Sequence, residues 1–475
     1  MTLHAPDADR LTPAGSAAAR GSLVYLVLVC LVATLGGLLF GYDTAVISGA
    51  IGFLRQRFAL SDVQVGWATS SALLGCAAGA ALAGTLSDRL GRRMVLIVSA
   101  VLFIVSAVGT AIPRNLTEFV VFRFVGGVGV GAASMTSPLY IAEISPARIR
   151  GRMVSLNQLA IVSGMLVVYF VNYFIAGLGD ERWNVQYGWR WMFGSENIPA
   201  VLLLILLFLV PESPRWLVRQ LRRREAAAVL ARVNGSDAAR QELAAIEDAV
   251  AHESGSVRRL FLPGMRIVLV IGVALAVLQQ VTGINVFLYY APEIFKSIAG
   301  SGTDAALLQT VVVGAVNMLF TVIAIWTVDR LGRRPLMMIG FVGMGAGMFG
   351  LALAAWFQRT EAWTLIFMLG YIASFALSVG PVTWVILSEI FPTTIRGRAM
   401  AIATVCLWLA NYVVSQTFPM LDDKDGWLVA TFHHAFPFAV YGVLCVISVA
   451  FVGLFVPETK RRSLEEIERL WTPRR

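Results

Sequence analysis

Gly84-Thr85-Leu86-Ser87-Asp88-Arg89-Leu90-Gly91-Arg92-Arg93 and Trp326-Thr327-Val328-Asp329-Arg330-Leu331-Gly332-Arg333-Arg334 are two versions of one motif. With Asp88 set on Asp329 they stand 241 positions apart. A second pair follows each copy: Glu143 to Arg152 (Glu-Ile-Ser-Pro-Ala-Arg-Ile-Arg-Gly-Arg) resembles Glu389 to Arg398 (Glu-Ile-Phe-Pro-Thr-Thr-Ile-Arg-Gly-Arg), 246 positions on. Pro211-Glu212-Ser213 and Pro457-Glu458-Thr459 share that offset. Three motifs in the same order divide the chain into two related halves.

Each motif borders an apolar run. A helix that crosses the hydrocarbon core of a bilayer needs about 20 mostly apolar residues. Runs of that kind recur at 23–50, 62–86, 94–112, 118–141, 153–176, 190–210, 267–295, 306–328, 335–357, 363–388, 399–420 and 432–456. The expectation is an all-α membrane protein of twelve transmembrane helices in two pseudo-symmetric six-helix bundles. A membrane barrel would instead show alternating segments of about ten residues, and none is evident. With 57% apolar and 14% charged residues, a soluble fold would lack the polar surface to cover itself.

The net charge of +9 invites a nucleic-acid reading, but its distribution argues otherwise. Of the 38 basic residues, 29 fall in the N-terminal tail, in alternate loops (89–93, 148–152, 215–266, 330–334 and 396–398) or in 460–475. Positive loops mark the cytoplasmic side. Both termini are therefore expected inside, which requires an even number of spans. The organisation is then a disordered tail at 1–20, a first bundle at 21–212, a linker at 213–262, a second bundle at 263–459 and a cytoplasmic tail at 460–475. In the linker, Arg224–Ala231 and Ala238–Ala251 read as short amphipathic helices, with a flexible connector as the alternative.

Cys30, Cys76, Cys406 and Cys445 all lie in apolar runs without ligand spacing, so neither a disulfide framework nor a zinc site is indicated. There is no phosphate-binding loop and no nucleophile–base set. His4, His252, His433 and His434 fall in the tail, the linker or near a loop. No cofactor, no metal and no enzymatic role are expected.

Polar groups inside spans are costly and face a cavity or another helix. Gln158, Gln279, Gln280, Asn285, Asn317 and Asn411 are such groups. A sugar presents hydroxyls that both donate and accept, and side-chain amides do the same without net charge. Tyr289, Trp384 and Trp408 offer flat faces with polar tips. The alternative for each amide is a tie between two helices. On a regular helix at about 100° per residue, Gln279 and Asn285 point away from each other. Gly283 between them predicts a break, and Gly380-Pro381 predicts another bend or unwinding. Asp43 and Arg123 are lone charges in separate spans, and pairing with each other is the most economical arrangement. The pair is either a permanent structural tie or a proton switch, since burial and a nearby Arg act on a carboxyl in opposite directions. Asp88 and Asp329 beside Arg92, Arg93, Arg333 and Arg334, with the pairs Glu143/Arg150 and Glu389/Arg396, form either a conformational latch or a simple topology signal.

These motifs together, with Gly41-Tyr42-Asp43-Thr44-Ala45-Val46-Ile47-Ser48-Gly49, Gln279-Gln280-Val281-Thr282-Gly283-Ile284-Asn285 and Trp408-Leu409-Ala410-Asn411-Tyr412, resemble the sugar porter family of the major facilitator superfamily over about residues 23–470. The resemblance implies a proton-coupled importer of a pentose or hexose such as D-xylose or D-glucose, working by alternating access. A uniporter of the same fold and a non-transporting sugar sensor are the rival readings. It implies a monomer in a bacterial-type inner membrane, with monosaccharide, protons and lipid as partners and no nucleic acid. It assigns sugar contact to Gln158, Gln279, Gln280, Asn285, Asn317 and Trp384, with Gly380 in the adjoining bend. Phe40, Tyr289, Phe375 and Trp408 become lining or gating aromatics. Asp43 becomes the proton site, paired to Arg123, and Glu196 a carboxylate with a conformational part in coupling. Asn411 fits the helix-tie reading better. The chain departs from one pentose–proton carrier of the family at Met165 and Leu407, where that carrier has glutamine.

Overall fold

The computed structural model describes residues 22–146, 148–251, 263–298, 300–358, 361–392 and 396–460. The expected tails at 1–20 and beyond Lys460, residues 252–262 of the linker and the side chain of Asp329 lie outside the described residues.

Among the described residues, twelve helices are long and apolar enough to cross a membrane. The first six spans are Leu23–Phe58, Asp62–Leu90, Arg92–Ala111, Leu116–Ile144, Arg150–Ala176 and Glu181–Leu207. The second six are Gly264–Ser297, Thr303–Val328, Arg333–Trp356, Ala362–Ile390, Arg396–Leu421 and Ala435–Phe455. Their starts carry local signals. Ser61 and Gln64 form a reciprocal capping box at the second span, and Asn115 accepts the Glu118 N–H at the fourth, which satisfies donors a helix leaves open.

Two boundaries differ from expectation. The first helix continues to Phe58 rather than stopping near residue 50, and its last turn carries Arg55, paired with Asp62 at 2.9 Å. Asp43 therefore lies well inside the helix. The sixth span begins at Glu181, nine residues early; the polar stretch Asn184–Gly188, which reads as loop, instead forms a π-helical turn.

Within the first bundle, the second and fourth spans pack backbone to backbone. A Cβ at Gly127 would stand 1.9 Å from the Ala72 carbonyl oxygen, and one at Gly75 would stand 2.2 Å from that of Phe124. Small residues permit such contact where apolar burial alone gives helices no reason to associate.

The two bundles meet along the second and eleventh spans, the fifth and eighth, and the first and seventh. Hydrogen bonds close this seam at the end remote from the linker. Ser70 Oγ donates to Gln416 Oε1 at 2.8 Å, Gln416 Nε2 to the Val63 carbonyl at 3.0 Å, and Tyr169 Oη to the Leu288 carbonyl at 2.8 Å. The linker contributes helices Pro214–Arg219, Arg223–Asn234 and Ser236–Ala251. The Ser22 N–H donates to the Arg232 carbonyl, tying the linker to the start of the first span.

Candidate functional site

A closed charge pocket lies inside the first bundle. Asp43 and Arg123 are fully buried, and Arg123 Nη1 donates both to Asp43 Oδ1 at 2.9 Å and to the Asp43 main-chain oxygen at 3.0 Å. The Phe193 ring lies 5.7 Å from the guanidinium carbon, a cation–π contact that desolvation strengthens. Glu196, also buried, lies against Asp43. Asp43 Oδ2 and both Glu196 oxygens lack a hydrogen-bond donor among the described residues. Two buried carboxyls thus lie beside one guanidinium, which bonds Asp43 directly. Tyr42 Oη and Ser195 Oγ, 2.7 Å apart, join the first and sixth spans beside it.

The amide cluster lies in the second bundle. The seventh span breaks at Gly283, whose φ of +90° suits glycine alone at low cost. The break turns Asn285 back toward Gln280, and Asn285 Nδ2 donates to Gln280 Oε1. Gln280 Nε2 donates to Gln279 Oε1 at 3.1 Å, and Gln279 Nε2 reaches the Val379 and Gly380 carbonyls at 3.2 Å each. Gln279, Gln280, Asn285 and Gly380 are therefore brought together. At Gly380-Pro381 the helix does not unwind. Phe375–Val379 widens into a π-helical turn and the tenth span continues, because the wider turn absorbs the missing proline N–H and the clash of its ring. The Phe375 ring lies beside Gly380.

The aromatics bridge the halves. Phe40 and Trp408 stand 5.5 Å apart between ring centroids. Trp408 Nε1 is buried without a partner among the described residues, so it offers a free donor. Asn411 Nδ2 donates to Tyr289 Oη at 3.4 Å and its Oδ1 accepts from Ser415. Asn317 is buried, and Gln158 and Trp384 are half-buried, in the eighth, fifth and tenth spans.

The charged motifs pair differently from the sequence expectation. Glu143 does not meet Arg150; it is gripped by Arg92, Nε to Oε2 at 2.9 Å and Nη2 to Oε1 at 3.0 Å. Arg92 is buried and calls for a two-pronged partner. Arg150 is half-exposed and turns to Glu242 of the linker at 3.9 Å. Asp88 meets Arg92 at 3.2 Å and Arg219 of the linker at 2.7 Å. Arg93 caps the end of the sixth span through the Leu207 and Phe208 carbonyls. In the second half Glu389 pairs with Arg333 at 3.1 Å, Arg334 bonds the Gly453 carbonyl, and Arg396 Nε bonds the Phe391 carbonyl at 3.2 Å. All these partners lie within one half or between it and the linker.

Glu212 and Glu458 are functional residues beyond those expected from the sequence. Glu212 accepts the main-chain N–H groups of Arg92 and Arg93, and Glu458 those of Arg333 and Arg334. Each carboxylate caps the positive end of a helix. The signal was present in the matched Pro-Glu-Ser and Pro-Glu-Thr triplets.

The family model for sugar (and other) transporters matches residues 29–471. The chain belongs to the sugar transporter family. This sugar transporter is 50% identical to the D-xylose-proton symporter of Escherichia coli K12, with 94% of this chain and 96% of that one covered. It is 43% identical to the arabinose-proton symporter of Bacillus subtilis, covering 95% and 96%. The inward-open xylose transporter of E. coli superimposes with a TM-score of 0.83 at 47% identity, covering 94% of this chain and all of that one.

Proposed function

We propose that this chain imports a pentose or hexose together with a proton, with Asp43 as the proton site. The observation that carries the reading is the buried trio in which Arg123 pairs with Asp43 and Glu196 lies against Asp43. An unpaired buried charge is expensive, so the closed pocket is balanced when one proton resides on the carboxyl pair. Separation of Arg123 from Asp43, or its return, changes which protonation state is balanced. Asp43 and Arg123 stand on the first and fourth spans of one bundle, so a shift between those two spans as the bundles rock supplies that motion.

The sugar sits between the Gln279–Gln280–Asn285 cluster, Trp384, Gln158, Asn317 and the Phe40–Trp408 pair. Xylose and arabinose carriers among the relatives favour a pentose. Met165 and Leu407 stand where the D-xylose-proton symporter has glutamine, which removes two hydrogen-bonding side chains, relaxes selectivity and keeps glucose among the substrates. The basic loops and the linker face the cytoplasm, the chain acts as a monomer in an inner membrane, and the charged motifs lock helices within each half while the halves move. Each proton driven inward gains about 2.3 kcal/mol per 100 mV.

The test is uptake of labelled D-xylose and D-glucose by liposomes holding the purified protein under an imposed proton gradient, with Asp43→Asn alongside. Accumulation abolished by an uncoupler, and lost in the variant while sugar exchange persists, supports symport through Asp43. Uptake that only equilibrates and ignores both gradient and variant makes the chain a uniporter and leaves the trio structural.

A further inference from the structure

A groove of about 650 Å³ runs along the linker half of the first bundle, between the first, fifth and sixth spans. Its walls include Leu28, Leu31, Ala160, Ser163, Leu206 and Leu209. On the fifth span, Gln158 and Ala160 are about 200° apart at 100° per residue, so the groove lies on the back of the helix that presents Gln158 to the seam. Its rim faces outward: Leu28 is 57% exposed and Leu209 74%. Its floor is closed by the buried Val29 and Val210.

The linker end of this groove is cationic. Arg93 lies over the last carbonyls of the sixth span, next to Leu206 and Leu209. The exposed Arg232 is tied through its carbonyl to Ser22, whose hydroxyl caps Tyr25 of the groove wall. The first turn of the first span carries no acid, and the nearby Glu212 is occupied by main-chain N–H groups of Arg92 and Arg93. An apolar channel opening sideways, with cations at the level of the helix ends, has the two-part chemistry of a phospholipid: chain in the groove, phosphate at its end.

We propose that this groove holds one acyl chain of an anionic phospholipid, with its headgroup at Arg93 and Arg232. The proposal stands independently of the transport reading.

The experiment reconstitutes the full chain in vesicles of phosphatidylethanolamine and phosphatidylglycerol, with a phosphatidylglycerol probe bearing a photoreactive acyl chain, and maps the labelled peptides. Labelling concentrated in 25–38, 156–163 and 206–210 is expected. Ala160→Trp and, separately, Ser163→Phe fill the groove and abolish that labelling, while both variants retain sugar transport as a check of folding. Arg232→Gln weakens competition by unlabelled phosphatidylglycerol about fivefold, the equivalent of about 1 kcal/mol per basic residue at a membrane surface. Labelling spread evenly over all exposed spans, or unchanged in both groove-filling variants, overturns the site. Equal competition by the zwitterionic lipid overturns the headgroup assignment.

Discussion

Arg123 holds Asp43 twice through one nitrogen, at the carboxylate oxygen 2.9 Å away and at the main-chain oxygen 3.0 Å away. The second bond fixes the guanidinium to the backbone of the first span, so the pair reports any shear between the first and fourth spans. The first prediction is energetic. Arg123→Ala leaves two buried carboxyls with no cation, and breaking a buried pair from one side costs about 3–5 kcal/mol. Adding Asp43→Asn removes the orphaned charge. The double variant should melt well above Arg123→Ala alone, a coupling measured by thermal unfolding in detergent at neutral pH. Additive losses would show that the two residues do not sense each other.

Glu196 adds the second carboxyl, and Glu196→Gln tests whether it belongs to the proton site. With one carboxyl left opposite Arg123, the pocket is balanced without a proton. Sugar exchange should survive while gradient-driven accumulation weakens, measured as the ratio of the two rates in proteoliposomes. Unchanged accumulation would confine Glu196 to packing.

The seam remote from the linker depends on Gln416, which bonds Ser70 and the Val63 carbonyl at once. Gln416→Ala removes two hydrogen bonds at about 1 kcal/mol net each, or roughly a thirtyfold shift in a two-state balance. Spin labels on either side of this seam should show the wide-distance population growing by about that factor. A distance distribution identical to wild type would mean that apolar contacts alone hold the seam.

Much of this architecture was legible in the chain. Lipid leaves only helices or closed barrels as solutions, so apolar run length identified the spans, and Gly283 marked the one position where a left-handed residue breaks the seventh span. The misreadings have a common physical origin. Arg150 and Glu143 sit at a motif's two ends, and sequence spacing suggests they meet; which arginine is buried depends on the third span and the linker, which spacing does not encode. Glu212 and Glu458 cap helices that begin over a hundred residues earlier.

Outside the spans, Asp422 and His434 form a closed pair, Oδ1 to Nδ1 at 2.7 Å. Burial holds the Asp422 carboxyl above the ordinary carboxylate range, and His434 and Lys424 oppose that shift. The sign follows from linkage. A carboxyl whose folded value is raised binds its proton more tightly when folded, so its contribution to stability is full below the ordinary carboxylate range and is lost as pH rises through the raised value. Asp422→Asn has no proton to lose. The variant should therefore gain on the wild type in melting temperature as pH climbs from about 4 toward neutrality, offset by the loss of the His434 bond. Melting curves of both proteins across that range decide it. A difference that stays flat with pH would mean that Asp422 titrates alike in folded and unfolded chains, and that His434 fully compensates its burial.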